Sequence, residues 1–531
     1  MKIPVAIILD GMSIQPWQQS SLDMASDLID IKLILNCTNT KTKKNYIKNF
    51  FYYLLNIFSM KFNSNNAIPF IKKDIKVLDF SSEYTGTWQS IPLEVISTLK
   101  KEKIELVIKY GMNLLTISNE LKEIDIMSFH HGDPKNFRGR PAGFYEIFSG
   151  AKKVGMIVQL LSNKLDGGKI ASKGFSTIYK YSYKKTLMAL YKNSAYLLKE
   201  AIINYKNDNL YPQLSFGKNF KLPSNTIVLK FLFRMFFHKL NRLYRAAFFE
   251  KRWNIALYDY NLNLMDQSDL SFKGSKIPNI PKKFEFYADP FFSSDSSLLR
   301  VEALNKWTRK GEIVELNIDD LSLKREILSG HHFSYPFTTS YQNDEFIIPE
   351  TAESHSASYY NLNSLDKKKP VKIKGMEEFY ITDPTLFKHD EYYYIFCNHL
   401  DAPNERLHLY LSNNFFGPFK EHPVSPVVMD PESARMAGKI VKNGFDLYRL
   451  GQDNCLNYGK EISVHKIIDL NPNEYKEKKI NTIQYKNKNF YGPHTINFQE
   501  NQTVTDFYSE KFSIIAGLKR VVGLISFRLN K

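Results

Sequence analysis

A motif that recurs three times in the second half of the chain constrains the fold most. Its copies are Tyr287-Ala-Asp-Pro-Phe-Phe, Phe333-Ser-Tyr-Pro-Phe and Ile381-Thr-Asp-Pro-Thr-Leu-Phe, and each precedes a polar turn and a further strand-like run. Their prolines, Pro290, Pro336 and Pro384, stand 46 and then 48 residues apart. Repeats of this period that consist of short strands are typical of β-propellers, whose blades hold four strands each.

Two weaker copies extend the repeat to five units. Arg435-Met-Ala-Gly-Lys-Ile and Gly492-Pro-His-Thr-Ile-Asn-Phe498 each precede a turn that contains Asn. We therefore predict an all-β, five-bladed propeller over residues 252–531. The strand-like run Trp253–Tyr258 precedes the first copy, and we expect it to close the ring against the last blade.

The innermost strands of a propeller face its axis, so equivalent repeat positions converge on a central funnel. The polar residues that we expect there are Asp289, Glu302, Glu350, Asp383, Arg435 and His494. Two carboxylates that face one sugar can run glycoside hydrolysis as acid and base or nucleophile. The alternative is that these acids only cap backbone amides in turns and at blade edges.

The first half carries two polar loops on either side of a short apolar run. The loops are Ser128-Phe-His-His-Gly-Asp-Pro-Lys-Asn-Phe-Arg-Gly139 and Leu165-Asp-Gly-Gly-Lys-Ile170, and the run between them is Val154–Leu161. A buried strand at this run would bring both loops to one edge of a sheet. A histidine that a carboxylate orients can shuttle protons, which indicates His130 and Asp166 as a catalytic pair. A buried core histidine beside a turn aspartate remains the alternative.

These loops resemble the formyltransferases that use 10-formyltetrahydrofolate, whose pattern is Asn-x-His-Pro-x-x-x-Pro-x-x-Arg-Gly followed by Leu-Asp-x-Gly-x-Ile. His130 and Asp166 take the positions of that family's catalytic histidine and aspartate. Upstream, Leu106-Val-Ile-Lys-Tyr-Gly-Met112 is similar to the strand and turn that hold the pterin ring. The resemblance implies an α/β, Rossmann-like formyltransferase domain over residues 1–205, with 10-formyltetrahydrofolate as formyl donor. It also implies cofactor contacts from Tyr110, Gly111, Met112, Arg138 and Gly139.

One position departs from the family pattern. Ser128 stands where the formyltransferases have a catalytic asparagine. A serine hydroxyl can donate one hydrogen bond to a developing oxyanion but is shorter than an asparagine amide, so the geometry must differ or another donor must substitute. His131 and Asp133 are the nearby candidates, and the departure also favours a second hypothesis, in which this domain is inactive.

The second half resembles the five-bladed propellers of glycosidases and fructosyltransferases. It is more similar to the N-terminal domain of plant glucosamine inositolphosphorylceramide transferases, through Tyr-Ala-Asp-Pro, Ser-Tyr-Pro-Phe, Ile-Pro-Glu, the Ala434–Gly438 segment and Gly-x-His-Thr. This resemblance implies a carbohydrate or glycolipid ligand.

The predicted linker, residues 206–251, contains a basic amphipathic pattern. The apolar residues that recur at helical spacing are Leu229, Phe233, Phe236, Leu240, Leu243 and Ala247, and Arg234, His238, Arg242 and Arg245 fill another face. Such a helix either packs its Phe-rich face between two domains or lies on an anionic membrane surface. The stretch Lys41–Phe62, with Lys41, Lys43, Lys44 and Lys48 before its aromatic run, offers the same two alternatives.

Composition limits the remaining choices. The formal charge of +17 fits an anionic partner, but no nucleic-acid-binding motif is present, so we expect no nucleic acid partner. Three distant cysteines without metal-ligand spacing indicate a reducing compartment and no metal site. The first apolar run is too short for a signal peptide, and none approaches the roughly 18 residues that span a bilayer. We expect a cytoplasmic protein with a peripheral contact on the inner membrane face.

Together these patterns predict a transferase that moves a formyl group onto an amino sugar during surface-glycan, or polysaccharide, biosynthesis. The sugar would be linked to a nucleotide or a lipid, and the propeller would bind the glycan. The alternatives are a glycan-binding protein with an inactive formyltransferase domain, and a propeller that is itself a glycosidase or a glycosyltransferase.

Overall fold

The chain folds into two compact units, Met1–Leu240 and Asn241–Lys531. The computed structural model describes residues 2–39, 45–61, 67–70, 74–164, 167–212, 217–351, 356–364, 369–455, 458–487 and 489–529. The division between the units falls inside the predicted linker 206–251, within a helix that runs across it. Asp166 and the basic residues Lys41, Lys43 and Lys44 lie outside the described residues.

The first unit alternates strands and helices. Its strands are β1 (Ile3–Asp10), β2 (Ser13–Ile14), β3 (Ile29–Cys37), β4 (Ile68–Pro69), β5 (Lys76–Phe80), β6 (Glu83–Thr85), β7 (Trp88–Ser90), β8 (Leu106–Lys109), β9 (Leu114–Leu115), β10 (Asp125–His130), β11 (Phe137–Gly139), β12 (Lys153–Leu160), β13 (Lys169–Thr177), β14 (Tyr211–Pro212) and β15 (Lys218–Phe220). Its helices are α1 (Pro16–Met24), α2 (Phe50–Asn56), α3 (Leu93–Lys101), α4 (Phe144–Ser149), α5 (Tyr183–Ser194) and α6 (Leu197–Lys206), with a π-helical turn at Ile57–Lys61. Helix α7 (Asn225–Phe248) crosses into the second unit.

An eight-stranded sheet forms the centre of the first unit, in the order β14-β13-β12-β10-β8-β1-β3-β5. Strands β10, β8, β1, β3 and β5 are parallel, and β8, β1 and β3 at the centre contain runs of buried apolar residues, as is typical of strands that are covered on both faces. The strand order reverses between β1 and β8, which makes this a doubly wound, Rossmann-like sheet and confirms the predicted α/β domain. In such sheets ligands bind at the carboxyl ends of the strands beside this reversal.

The second unit consists almost entirely of strands. They are β16 (Phe249–Tyr258), β17 (Asp269–Leu270), β18 (Ser275–Lys276), β19 (Phe284–Phe292), β20 (Leu298–Asn305), β21 (Gly311–Asn317), β22 (Leu323–Leu328), β23 (Ser334–Tyr341), β24 (Asp344–Glu350), β25 (Ser358–Asn361), β26 (Pro370–Lys372), β27 (Ile381–His389), β28 (Tyr392–His399), β29 (His408–Ser412), β30 (Lys420–Glu421), β31 (Arg435–Met436), β32 (Val441–Asn443), β33 (Asp446–Asp453), β34 (Glu461–Asn471), β35 (Glu474–Tyr485), β36 (Ile496–Gln499) and β37 (Gln502–Phe512). Helix α8 (Ala516–Leu529) follows the last strand.

These strands form a series of mainly antiparallel sheets. The first three sheets are runs of four consecutive strands, β19–β22, β23–β26 and β27–β30, and the fourth contains β31, β33, β34 and β35, with short strands β17 and β32 attached. The fifth has the order β18-β16-β37-β36, so the first strand of the unit pairs with the last. That pairing runs without a break from Phe249 opposite Phe512 to Tyr258 opposite Thr503.

The sequence repeat corresponds to one local backbone structure. Asp289, Tyr335 and Asp383, which precede the three prolines, have positive φ angles of 48°, 46° and 46°. At the same positions the pairing between the first two strands of each sheet shifts register, which is a β-bulge. Non-glycine residues rarely adopt such angles, and bulges often re-aim a side chain beside a functional site. The first strand of each of these three sheets therefore contains the same strained bulge.

Helix α7 leaves most of its apolar face uncovered. Its buried residues are Val228 and Phe231, whereas Phe233, Phe236 and Leu243 expose 64%, 54% and 55% of their surfaces. The helix contains no Asp or Glu. In the part of the chain that the structure describes, every helix is too short or too polar to cross a bilayer.

Candidate functional site

In the first unit, a row of polar side chains crosses the sheet near the carboxyl ends of its parallel strands. Ser128 of β10 pairs with Lys109 of β8 on one side and with Gln159 of β12 on the other. Paired residues on neighbouring strands point to the same face, and His130, two residues beyond Ser128, shares it. Lys109, Ser128, Gln159 and His130 therefore lie together beside the reversal point of the sheet.

Lys109 is the unexpected member of this row. Its Nζ donates to the backbone oxygen of Met112 at 3.2 Å, and Asp10 Oδ1 accepts from the backbone N–H of Met112 at 2.7 Å. Burial lowers the pKa of Lys109 to about 8, although the charge of Asp10 opposes that shift. The row thus contains a partly buried amine that stays largely cationic near neutral pH.

Gln159 adds an unused acceptor to the row. The residue is buried, and its Oε1 has no hydrogen-bond partner among the residues that the structure describes. A buried carbonyl oxygen without a partner is costly, because it has lost its hydrogen bonds to water. The site therefore has an acceptor that a donor on a ligand could satisfy.

The residues between these positions face the other side of the sheet. Phe129 stacks with Tyr110, and both rings pack around Trp17 of α1. The Tyr110 hydroxyl lies 2.5 Å from Ser21 Oγ, and the ring of His131 lies 5.2 Å from that of Trp17. Burial lowers the pKa of His131 to about 3. His131 therefore does not face the side of His130, and Tyr110 can offer only its backbone there.

The remaining predicted residues of this half have structural partners. A β-carbon at Gly111 would overlap the backbone of Leu9 and Asp10, so the tight turn before Met112 packs against β1. Arg138 Nε donates to Gly217 O at 2.8 Å, and Gly139 adopts a φ of 83° against Phe220 of β15.

Asp133, in the loop after His130, forms an ion pair with Lys173 at 3.1 Å. Beside it lies a cavity of about 510 Å³, whose wall residues are Asp133, Asn136, Phe137, Ser149, Gly150, Ala151, Lys152, Lys153, Gly155 and Phe175.

In the second unit, the predicted funnel residues come together around a cavity of about 220 Å³. Five of the six line it, and the sixth, Asp383, binds the guanidinium of one that does. The lining residues are Trp253, Phe286, Ala288, Asp289, Glu302, His332, Ser334, Glu350, Arg435, Tyr458 and His494. The cavity wall is thus acidic and aromatic.

Arg435 links carboxylates from two sheets at one side of the cavity. Its Nε donates to Asp383 Oδ2 at 2.6 Å and its Nη2 donates to Asp383 Oδ1 at 3.1 Å. The same Nη2 lies 3.1 Å from Glu350 Oε2. Gln452 Nε2 donates to Asp383 Oδ2 at 3.0 Å. Burial raises the pKa of Glu350 to about 8, since burial and the Asp383 charge outweigh the guanidinium.

His494 connects two further carboxylates. Its Nδ1 is paired with Asp506 Oδ2, and its Nε2 lies 3.5 Å from Asp289 Oδ1. Thr495 Oγ1 donates to the same Asp289 oxygen at 2.6 Å. Burial disfavours a charged His494, but Asp506 and Asp289 outweigh burial and raise its pKa. Burial also raises the pKa of Asp289 to about 6.

Asp289, His494 and Asp506 could also hold a metal ion, because their ligand atoms all lie within 4.8 Å of one another. The indole of Trp253 stacks on the His494 ring at 4.1 Å between ring centres. Asp506, Gln452, Trp253 and Tyr458 are site residues that our sequence analysis does not predict. None belongs to a repeat motif, although Trp253 and Tyr458 are aromatic residues of the type that lines sugar sites.

Comparison with known proteins gives different matches for the two halves. A family model described as "Glucosamine inositolphosphorylceramide transferase 1, N-terminal" matches residues 272–502. Glucosamine inositolphosphorylceramide transferase 1 of Oryza sativa subsp. japonica is 28% identical over 209 residues, which cover 37% of this chain and 28% of that protein. The protein of the same name from Arabidopsis thaliana is 28% identical over 226 residues, which cover 40% and 28%. The chain thus spans less than a third of the length of these relatives.

Solved structures of formyltransferases align with the N-terminal part. A phosphoribosylglycinamide formyltransferase from Anaplasma phagocytophilum gives a TM-score of 0.29 at 14% identity, and the alignment covers 42% of this chain and 98% of that one. A sugar N-formyltransferase from a Shewanella species gives a TM-score of 0.27 at 12% identity, with coverage of 44% and 87%.

Proposed function

We propose that the first unit transfers a formyl group from 10-formyltetrahydrofolate to an amino sugar, and that the second unit binds the sugar or the glycolipid that carries it. The observation that carries the proposal is the row of Lys109, Ser128 and Gln159 beside His130, at the carboxyl ends of the strands where doubly wound sheets bind ligands. This row combines a proton carrier, His130, with the hydrogen-bond donors Ser128 and Lys109 on one face of the sheet.

The described residues offer a folate an unused hydrogen-bond acceptor. Gln159 Oε1 is a buried acceptor with no partner among them, and a pterin ring offers N–H donors. The backbone of Tyr110, Gly111 and Met112 would hold the ring from the β8 side. Bound 10-formyltetrahydrofolate would supply the formyl group as an acyl donor.

The residues of the row have distinct roles in this proposal. When the sugar amine attacks the formyl carbon, negative charge develops on the formyl oxygen. The Ser128 hydroxyl and the Lys109 ammonium would donate to that oxygen, and Lys109 thereby supplies what the shorter serine cannot. His130 would take the proton of the attacking amine and deliver it to the departing nitrogen.

In the second unit, we propose that the five sheets are blades of a propeller and that the cavity is its central sugar site. The support is the bulge that three sheets share at Asp289, Tyr335 and Asp383, together with the pairing of β16 with β37. Carboxylates and aromatic rings at one cavity provide hydrogen bonds to sugar hydroxyls and flat surfaces for the sugar ring.

We further propose that α7 lies on an anionic membrane surface, in a protein located in the cytoplasm at the inner membrane face. Five Lys and Arg side chains and no acid accompany its exposed Phe residues, and that combination suits the headgroup region of an acidic leaflet. The acceptor would then be lipid-linked, and no nucleic acid is involved.

The experiment for formyl transfer mixes the purified full chain with 10-formyltetrahydrofolate and a panel of nucleotide-linked amino sugars. We expect release of tetrahydrofolate that requires both the sugar and His130, so that His130→Ala abolishes it. Lys135→Ala, an exposed change in the same loop, is the matched control and should leave release unchanged. Release that His130→Ala does not affect would exclude the proposed proton carrier.

A further inference from the structure

The cavity of the second unit contains more acid than base. Five carboxyl groups belong to its charged cluster, and the only side chains that oppose them in that cluster, among the residues the structure describes, are Arg435 and His494. Arg435 is engaged by Asp383 and Glu350, and His494 by Asp506 and Asp289. His332 and Tyr458 complete the titratable lining, and His332 Nδ1 accepts from the Gly311 N–H at 2.8 Å.

Glu302 is the one carboxyl group of this cluster that pairs with neither Arg435 nor His494. It lines the cavity with only 8% of its surface exposed, and it has no hydrogen bond or ion pair with any residue that the structure describes. Burial raises its pKa well above the usual value, and the neighbours that add to this shift are all carboxyl groups, Asp289, Glu350, Asp383 and Asp506. A buried acid with no partner is costly to fold, so its position indicates that a ligand supplies the partner.

The chemistry of the cavity restricts what that partner can be. The acidic surroundings of Glu302 favour a positively charged partner. Beside a cation Glu302 is ionised and only accepts hydrogen bonds, so that partner must also be a donor. Trp253, Phe286 and Tyr458 place aromatic rings in the wall, and such rings can contact the apolar side of a sugar and attract a cation. A volume of about 220 Å³ is below the roughly 300 Å³ of pockets for drug-sized ligands, which suits a single sugar residue.

We infer that this cavity binds an amino sugar in its ammonium form, with Glu302 as the counter-ion, and that it excludes the N-formylated sugar. The inference rests on the proposal that a sugar occupies the cavity. An ammonium group donates three hydrogen bonds and carries a charge, whereas a formamide is neutral and bulkier and offers only one donor. The second unit therefore retains the substrate of formyl transfer and releases its product.

Binding of the ammonium is coupled to a proton. In the empty cavity the crowded acids remain partly protonated, and a bound cation allows Glu302 to ionise. Capture of an ammonium sugar therefore releases a proton to the solvent. Calorimetry in two buffers of different ionisation enthalpy measures that proton.

The test is isothermal titration calorimetry of the full chain with glucosamine, N-formylglucosamine and glucose. Because charge-assisted hydrogen bonds are stronger than neutral ones, we expect glucosamine to bind at least about tenfold more tightly than either neutral sugar. Glu302→Gln keeps the shape but removes the charge, and it should abolish this preference for glucosamine over glucose. Glu391→Gln, the same change at an exposed position, is the matched control.

Several outcomes would overturn the inference. Equal affinity for the three sugars, or a preference for glucosamine that persists in Glu302→Gln, would remove Glu302 as counter-ion. Binding of Ca²⁺ or Mn²⁺ that displaces glucosamine would assign the cavity to a metal ion instead. The wild-type comparison of sugars holds even if Glu302→Gln does not fold, which circular dichroism detects.

The same samples separate this inference from formyl transfer. His130→Ala should leave the glucosamine preference unchanged even though it abolishes tetrahydrofolate release. If transfer is absent while the Glu302-dependent preference persists, the proposed function fails alone. If transfer occurs without that preference, the inference fails alone.

Discussion

Arg435 donates two hydrogen bonds to the carboxylate of Asp383, from Nε at 2.6 Å and from Nη2 at 3.1 Å. The same Nη2 also donates to Glu350. Glu350 belongs to β24, Asp383 to β27 and Arg435 to β31, so one guanidinium joins three successive sheets. Only arginine offers this planar fork of donors.

The first prediction follows from this fork. Arg435→Ala should lower the free energy of unfolding by about 3–5 kcal/mol, because it leaves the buried carboxylate of Asp383 without its cation. Urea unfolding followed by circular dichroism measures the change. Lys476→Ala removes a cation from the exposed pair with Glu474 and should cost about 1 kcal/mol or less. Equal losses in the two variants would contradict a structural role for the fork.

The second prediction concerns the oxyanion donors. Lys109→Ala should reduce the rate of formyl transfer about 100- to 1000-fold, as is common when one donor to a developing oxyanion is removed. Ser128→Ala should reduce it less, because a neutral hydroxyl donates a weaker bond than an ammonium. Initial rates of tetrahydrofolate release with each variant provide the comparison. A Ser128 variant that loses more activity than the Lys109 variant would reverse the assigned roles.

The third prediction is a dependence of stability on pH. The pKa values of Asp289 and Glu350 rise to about 6 and about 8, and those of Glu302 and His494 also rise. A raised pKa means that the folded protein binds more protons than the unfolded chain between the two values. The free energy of unfolding should therefore fall as the pH rises from about 5 to about 8.

Guanidinium unfolding at three pH values across that range measures this slope. Glu302→Gln should make the slope shallower, since the amide does not titrate, whereas the exposed Glu391→Gln should leave it unchanged. A slope that is identical in both variants would show that the cavity acids do not cause it.

The fourth prediction concerns α7. Replacing Phe233 and Phe236 together by Ser should weaken binding to vesicles of anionic phosphatidylglycerol at least about tenfold, because two large exposed apolar side chains are lost. Cosedimentation with the vesicles measures this, and vesicles of neutral phosphatidylcholine should bind weakly throughout. Phe445→Ser, at a fully exposed Phe elsewhere, is the matched control. Equal losses in the control would leave no special role for the helix.

The sequence could predict only those site residues of the second unit whose positions follow from the repeat. Asp289 and Asp383 occupy equivalent repeat positions, and their convergence with Arg435 follows from the spacing of the repeat. Trp253 of β16 lines the same cavity, and Asp506 of β37 pairs with His494 of its wall. Both lie outside the repeat, so no spacing in the sequence marks them.

In the first unit, too, some positions follow from the local sequence and others do not. His130 and His131 are neighbours in or beside one strand, so strand alternation alone requires them to face opposite sides. The position of Lys109 beside Ser128 depends on the register between two parallel strands, which local patterns do not reveal.

The strand β16 opens the second unit, yet its principal partner, β37, is separated from it by nearly all of that unit. During synthesis on a ribosome, the edge of β16 that pairs with β37 must therefore wait unpaired until the last strand emerges, whereas sheets such as β19–β22 can form from neighbouring segments as they appear. Removal of β37 by a nonsense codon would leave β16 as an exposed apolar template for other chains, so such products should precipitate rather than accumulate as shortened proteins.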